Sequence, residues 1–199
     1  MIRRIPILVW FIIPTVIIAG FGIWFFTRPS VLGEKADSDK PVAVSKPVEG
    51  TVEFPIVGRN HIAQGTTVST YNSNPPTSGP HWPAPAKNGI YDTMQPDEQL
   101  LHNLEHGYVW ISYIPTKPNS ESSAEAGVKS GLTEEEVTKL KDLVKGDDWK
   151  VVLEPRDKND SKIALAAWGR LLKMDDPDYD KIRDFIRTYR DRGPEKGPH

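Results

Sequence analysis

His102 and His106 stand four residues apart in the run Asp97-Glu98-Gln99-Leu100-Leu101-His102-Asn103-Leu104-Glu105-His106. Residues at i and i+4 of a helix share a face, so two imidazoles would project together with Cβ atoms about 5–6 Å apart. A helix uses this spacing to offer two nitrogens to one metal ion. Glu98 lies one turn earlier on the same stripe. Four of the 5 histidines, His61, His81, His102 and His106, fall between positions 61 and 106. His81 ends the stiff turn Pro75-Pro76-Thr77-Ser78-Gly79-Pro80, which can hold a side chain in a fixed orientation. The expected ligand set is therefore His102, His106 and His81, with His61 as the fourth. Imidazole donors suit zinc or copper, whereas calcium and magnesium prefer oxygen. Met94 would shift the choice towards Cu(I) if it points inward.

The same residues carry other readings. A histidine in the last helical turn interacts favourably with the helix dipole without any ligand. Either ring can also brace the proline loop as a hydrogen-bonded core group. His102-Asn103-Leu104-Glu105-His106 fits H-x-x-E-H as well, the inverted zinc-peptidase pattern in which Glu105 would activate a metal-bound water. That chemistry needs a further acidic ligand, for which Glu121, Glu125 and Glu154 are candidates. Ser78 lies among prolines rather than in a G-x-S-x-G elbow and reads as a turn-stabilising hydroxyl. There is no glycine-rich phosphate loop and no dinucleotide fingerprint. Asp175-Asp176-Pro177-Asp178 reads as a loop and helix N-cap, since the spacing of a calcium loop is absent. Three classes stay open: a metal-binding module, a metal-dependent hydrolase, and a structural or protein-interaction module of the cell envelope with no metal.

These residues need elements to position them. Pro96 and the acids after it favour a helix start, and Gly107 supplies its stop. Tyr108 to Ile114 is rich in aromatic and β-branched residues and predicts a strand. Thr133 and Glu136 form a capping box before Val137, Leu140, Leu143 and Val144, the apolar stripe of a helix ending at Gly146. Trp149 to Leu153 and Ile163 to Trp168 predict two strands joined as a hairpin across Asp157-Lys158-Asn159-Asp160. A last helix is expected from Asp178 to Arg190, with Ile182, Phe185, Ile186 and Tyr189 on one face. Thr66 to Tyr71 predicts a short strand, and Asn72 to Pro85 is turn chemistry throughout. Tyr71, Trp82 and Tyr91 argue that this long loop is ordered on a scaffold. The element order predicts an α+β domain, a mixed or antiparallel sheet with about three helices on one side.

Composition bounds the remainder. With 25 Lys+Arg against 27 Asp+Glu, the 199-residue chain lacks the basic field that nucleic-acid binding requires. The absence of cysteine excludes disulfides, thiol nucleophiles and Cys-ligated metals. Ile5 to Phe26 carries no charge and follows Arg3 and Arg4. As a helix it would span about 30 Å, enough for a bilayer core, and no small-x-small cleavage site follows. We read residues 5–26 as an uncleaved transmembrane signal anchor, with residues 1–4 cytoplasmic by the positive-inside rule. Residues 27–50 then form a flexible linker, 51–193 an exported globular domain facing the extracytoplasmic side of the cell membrane, and 194–199 a disordered tail.

Tyr71, Pro75-Pro76-Thr77-Ser78-Gly79-Pro80-His81, Gly89-Ile90-Tyr91 and His102-Asn103-Leu104-Glu105-His106-Gly107 together resemble the signature of the bacterial domain-of-unknown-function 3105 family. The resemblance runs from about Gly50, through His61 and Gly65, to Ala166, Trp168-Gly169-Arg170 and Arg192-Gly193-Pro194-Glu195. It implies one domain behind a single N-terminal membrane segment. It also implies that His61, His81, His102, Glu105 and His106 act as a unit, without naming a metal, a substrate or a protein partner.

Overall fold

A computed structural model describes Val44, residues 46–116 and residues 131–196. The apolar stretch Ile5 to Phe26 lies outside the described residues. Among the described residues, no helix is long and apolar enough to cross a membrane.

Six strands form one mixed sheet: β1 (Val52–Glu53), β2 (Gly89–Ile90), β3 (Val109–Tyr113), β4 (Val151–Pro155), β5 (Ile163–Ala167) and β6 (Arg170–Met174). Their spatial order is β1-β6-β5-β3-β4-β2. β3 and β2 each pair with β4 in parallel, whereas β5 pairs with β3, β6 with β5 and β1 with β6 in antiparallel. Among the described residues, three helices accompany the sheet: α1 (Asp97–Glu105), α2 (Glu134–Lys145) and α3 (Tyr179–Tyr189). The capping box holds as expected, with Thr133 Oγ1 accepting from Glu136 N–H and the Glu136 carboxylate accepting from Thr133 N–H. Asp178 caps α3 by accepting from Lys181 N–H. The fold is α+β.

Side chains alternate across the sheet, and both faces are buried. Val109, Ile111 and Tyr113 of β3 join Leu140 and Val144 of α2 and Ile182, Phe185, Ile186 and Tyr189 of α3 in one core. Trp110 points the other way, with Val152, Ala164 and Ala166, against Leu100, Leu101 and Leu104 of α1. Each of these fully buried leucines contributes roughly 1.5–3 kcal/mol. The helices thus cover both faces of the sheet, not one. A strand buried on both sides is apolar throughout, so its own pattern does not say which helix covers which face.

Two further expectations change. β4 and β5 do not form a hairpin: β3 lies between them, paired in register with both. The hairpin is β5–β6, where Ala167 faces Arg170 and Gly169 takes φ 68° in the turn. The sequence does not mark β6, because Leu171 and Leu172 sit together between Arg170 and Lys173, which breaks the alternation of a half-buried strand. Thr66 to Tyr71 is not a strand; side chains hold it instead. Trp82 Nε1–H donates to the Thr66 carbonyl, and the Glu98 carboxylate accepts from Val68 N–H at 2.7 Å. At the end of the expected linker, Val44 and Val48 pack against the core, and Val48 N–H donates to the Tyr189 hydroxyl.

Candidate metal centre

Three separate segments bring the histidines together, each held by the backbone. Gly79 turns the proline loop with φ 132°, and a Cβ there would lie 2.8 Å from the Tyr71 ring, so only glycine fits. The Tyr71 hydroxyl donates to the Pro80 carbonyl, and the Ser78 hydroxyl accepts from Val57 N–H, the turn-stabilising role expected of it. The loop delivers His81, fully buried, with Nδ1–H donating to the Gly79 carbonyl at 2.8 Å. The chain around His61 runs parallel to it: His81 N–H donates to the Asn60 carbonyl and Ile62 N–H to the His81 carbonyl. α1 supplies His102, whose Nδ1–H donates to the Trp82 carbonyl at 2.7 Å. Asn103, beside it, fastens the loop to the helix. Its Oδ1 accepts from Ala86 N–H and its Nδ2 donates to the Ala86 carbonyl, both at 2.8 Å.

His61, His81 and His102 each offer a ring nitrogen, and the three nitrogens lie within 4.8 Å of one another. The His61 and His102 rings stack at 5.1 Å with 10° between their planes, and His81 meets both edge-on. Glu105 walls the group. Its Oε2 accepts from His81 Nε2 at 2.9 Å and lies 3.9 Å from His61 Nε2, while its Oε1 lies 3.8 Å from Arg59. Burial pushes the Glu105 carboxyl up. The His81 hydrogen bond and the charges of His81, His102 and Arg59 outweigh that and hold it below its ordinary value. Burial lowers the His102 ring against the opposing Trp82 carbonyl bond, with His106 and His81 adding to the lowering. A neutral His102 with Nδ1–H committed to a carbonyl carries its lone pair on Nε2, the atom a metal takes, where it now accepts from His106 Nε2–H.

The expected set therefore changes in emphasis. His61, expected as the fourth ligand, belongs to the group of three. His106, expected among the first three, stands at its edge, with Nε2 2.8 Å from His102 Nε2 and Nδ1 buried without a partner. α1 ends at Glu105 with His106 as its C-cap residue, whose N–H still bonds to the His102 carbonyl, so the i, i+4 pairing of the two rings is kept. In the inverted-peptidase reading Glu105 would face a metal-bound water; here its carboxylate is bonded to His81. Glu98 serves the 66–71 loop. Glu154 accepts from Trp110 Nε1–H and Gln95 N–H within β4, and Glu121 and Glu125 lie outside the described residues. Met94 is exposed on the loop entering α1, at the end opposite His106.

Residues outside the expected ligand set complete the surroundings. Arg59 stands two positions from His61, the spacing that places two side chains on one side of an extended chain. Trp168 presents its ring edge-on to His81 at 6.4 Å. Gly193 and Glu195 close over the end of α1, where Glu195 N–H, in the segment expected to be a disordered tail, donates to the Glu105 carbonyl.

A family model described as "Protein of unknown function (DUF3105)" matches residues 61–199, a span that holds all four clustered histidines and Glu105. No curated protein and no solved structure matches the chain. The match covers well over half of the sequence, and the chain belongs to the DUF3105 family of proteins of unknown function.

Proposed function

We propose that this chain is a membrane-anchored, extracytoplasmic domain that binds one transition-metal ion, zinc or copper, through His61, His81 and His102. The observation that carries this reading is the convergence of three ring nitrogens, from three separate segments, within 4.8 Å. Nitrogens on one tetrahedral ion stand about 3.3 Å apart, so small ring rotations close the site. Two of the three rings are already oriented by backbone carbonyls at Nδ1, the arrangement metal-ligating histidines use. At His81 Nε2 the metal would take the place of the proton donated to Glu105, leaving that carboxylate beside the ion. At His102 Nε2 the metal would take the place of the proton now donated by His106 Nε2.

The test is elemental analysis and thermal unfolding of the full chain, purified without a polyhistidine tag and loaded with zinc or copper. We expect one equivalent retained. Metal at 100 times its dissociation constant adds about 2.7 kcal/mol, or roughly 5–10 °C in Tm for a domain of this size. His61 is exposed, so His61→Ala leaves the core intact and should remove most of that shift. Metal retained equally by wild type, His61→Ala and His102→Ala overturns the reading.

A further inference from the structure

The metal centre has an open side. His81, His102 and Glu105 are buried, whereas the His61 and Arg59 side chains are 51% and 41% exposed. Those two form the mouth. Their placement follows from the extended segment 59–62: the parallel bridge to His81 fixes Asn60 and Ile62 through their backbone, and residues 59 and 61 point to the same side. Both reach Glu105, Arg59 on Oε1 and His61 on Oε2. At 3.8 Å the guanidinium sits near the carboxylate without a hydrogen bond to it. Among the described residues it has no other polar partner, so its planar fork of donors is uncommitted.

Charge gives this arrangement a direction. Three neutral imidazoles do not offset a divalent ion, Glu105 supplies one negative charge, and Arg59 adds a positive one at the mouth. The loaded centre is cationic on its open side. A three-histidine site also leaves one coordination position to water or a ligand. A guanidinium offers parallel donors that match two oxygens of one anion, which a point charge such as lysine does not.

Resting on the metal reading above, we infer that the centre takes an oxyanion ligand, of carboxylate or phosphate type, with one oxygen on the metal and another on Arg59. Arg59 is then a ligand-binding residue of the loaded site rather than a surface partner of Glu105.

The test uses the full chain loaded with Co(II), whose visible spectrum reports the coordination sphere. Cobalt retention is measured first, and acetate, phosphate and sulfate are then titrated separately. We expect a saturable spectral change, with the tightest of the three assigning the ligand to the carboxylate or the phosphate type. Arg59→Ala should weaken that anion about tenfold, the worth of one charge-assisted contact. Cobalt affinity should hold or tighten, because a like charge has been removed. Arg59→Lys, which keeps the charge and loses the fork, should fall between the two. Bound cobalt whose spectrum ignores all three anions means that Glu105 closes the site, and overturns the inference while leaving the metal reading standing. Equal anion affinity in wild type and Arg59→Ala overturns it too. Cobalt that is not retained overturns both.

Discussion

Gly193 packs directly on the carbonyl of Glu105: a Cβ at position 193 would lie 2.1 Å from that oxygen and 2.3 Å from Gly107 N. Both obstacles are backbone, which cannot rotate away. The contact ties the chain's end to the last turn of α1, where His102, Glu105 and His106 sit. Asp191 N–H donates to the Gly107 carbonyl, and Lys150 Nζ links the His106 carbonyl to the Asp191 carboxylate. Gly193→Ala should therefore cost about 3 kcal/mol or more, as overpacking does. It should also displace the site, so metal affinity falls together with Tm. Chemical denaturation and metal titration of the variant check this; an unchanged affinity would show that the end of α1 holds its place without the clamp.

Asn103 fastens loop to helix through both of its amide atoms. Asn103→Ala removes two hydrogen bonds and leaves the buried Ala86 N–H and carbonyl unsatisfied, a loss of roughly 2–4 kcal/mol. Asn103→Asp keeps the bond from Ala86 N–H but sets a carboxylate against the Ala86 carbonyl. We expect denaturant midpoints in the order wild type, then Asp, then Ala. The Ala86 amide proton should exchange faster in Asn103→Ala than in Asn103→Asp, which keeps its acceptor.

What the sequence made legible was local. The Thr133–Glu136 capping box and the apolar stripe behind it located α2, because both signals lie within one helix. The strand partners were not legible: turn residues at 157–160 encode a reversal of the chain, not which strand it returns to, and β3 takes the place between β4 and β5. The histidines divide in the same way. His102 was placed by helical spacing. His61 owes its position to hydrogen bonds with a loop twenty residues away, and no periodicity around it reports them. The same helical count places His106 beside His102, because its N–H still bonds to the His102 carbonyl although α1 stops at Glu105. Arg59 carries no motif, and its two-residue offset from His61 acquires meaning only once that segment is extended.

The 22 uncharged residues from Ile5 to Phe26, behind Arg3 and Arg4, lead to a topological expectation. The chain should fractionate with membranes at full length, and protease added to spheroplasts should digest the domain carrying the histidines. Complete protection, or a shortened soluble form, would place the histidine cluster in a different compartment or free it from the membrane.

Glu154 provides a pH signature separate from the histidine cluster. Its carboxyl is fully buried in β4, and burial raises it from an ordinary value of 4.5 to about 8. Asp97 adds to the rise, while the Gln95 N–H, the Trp110 Nε1–H and Arg156 oppose it, and Tyr91 stands near enough to feel its charge. Arg156 does not neutralise the carboxylate because its guanidinium is engaged elsewhere, donating to both oxygens of Asp97 and to Asn74 and Asn159. The folded chain keeps the Glu154 proton where the unfolded chain has already released it. Between pH 4.5 and about 8 the folded state therefore binds more protons, and stability falls as pH rises through that window, levelling above it. The contribution is on the order of 4 kcal/mol from end to end. Glu154→Gln cannot titrate, and its amide nitrogen would face one of the two N–H donors now directed at the carboxyl. The variant should be less stable than wild type near pH 5, by about 1–3 kcal/mol for the donor left unpaired. That deficit should shrink steadily towards pH 8 as wild type loses its own advantage. Denaturant unfolding of both chains at intervals from pH 5 to 9 reads the difference directly, with every other titrating group common to the two. Parallel curves would mean that Glu154 is already ionised in the folded chain at pH 5 and that Arg156 compensates it after all.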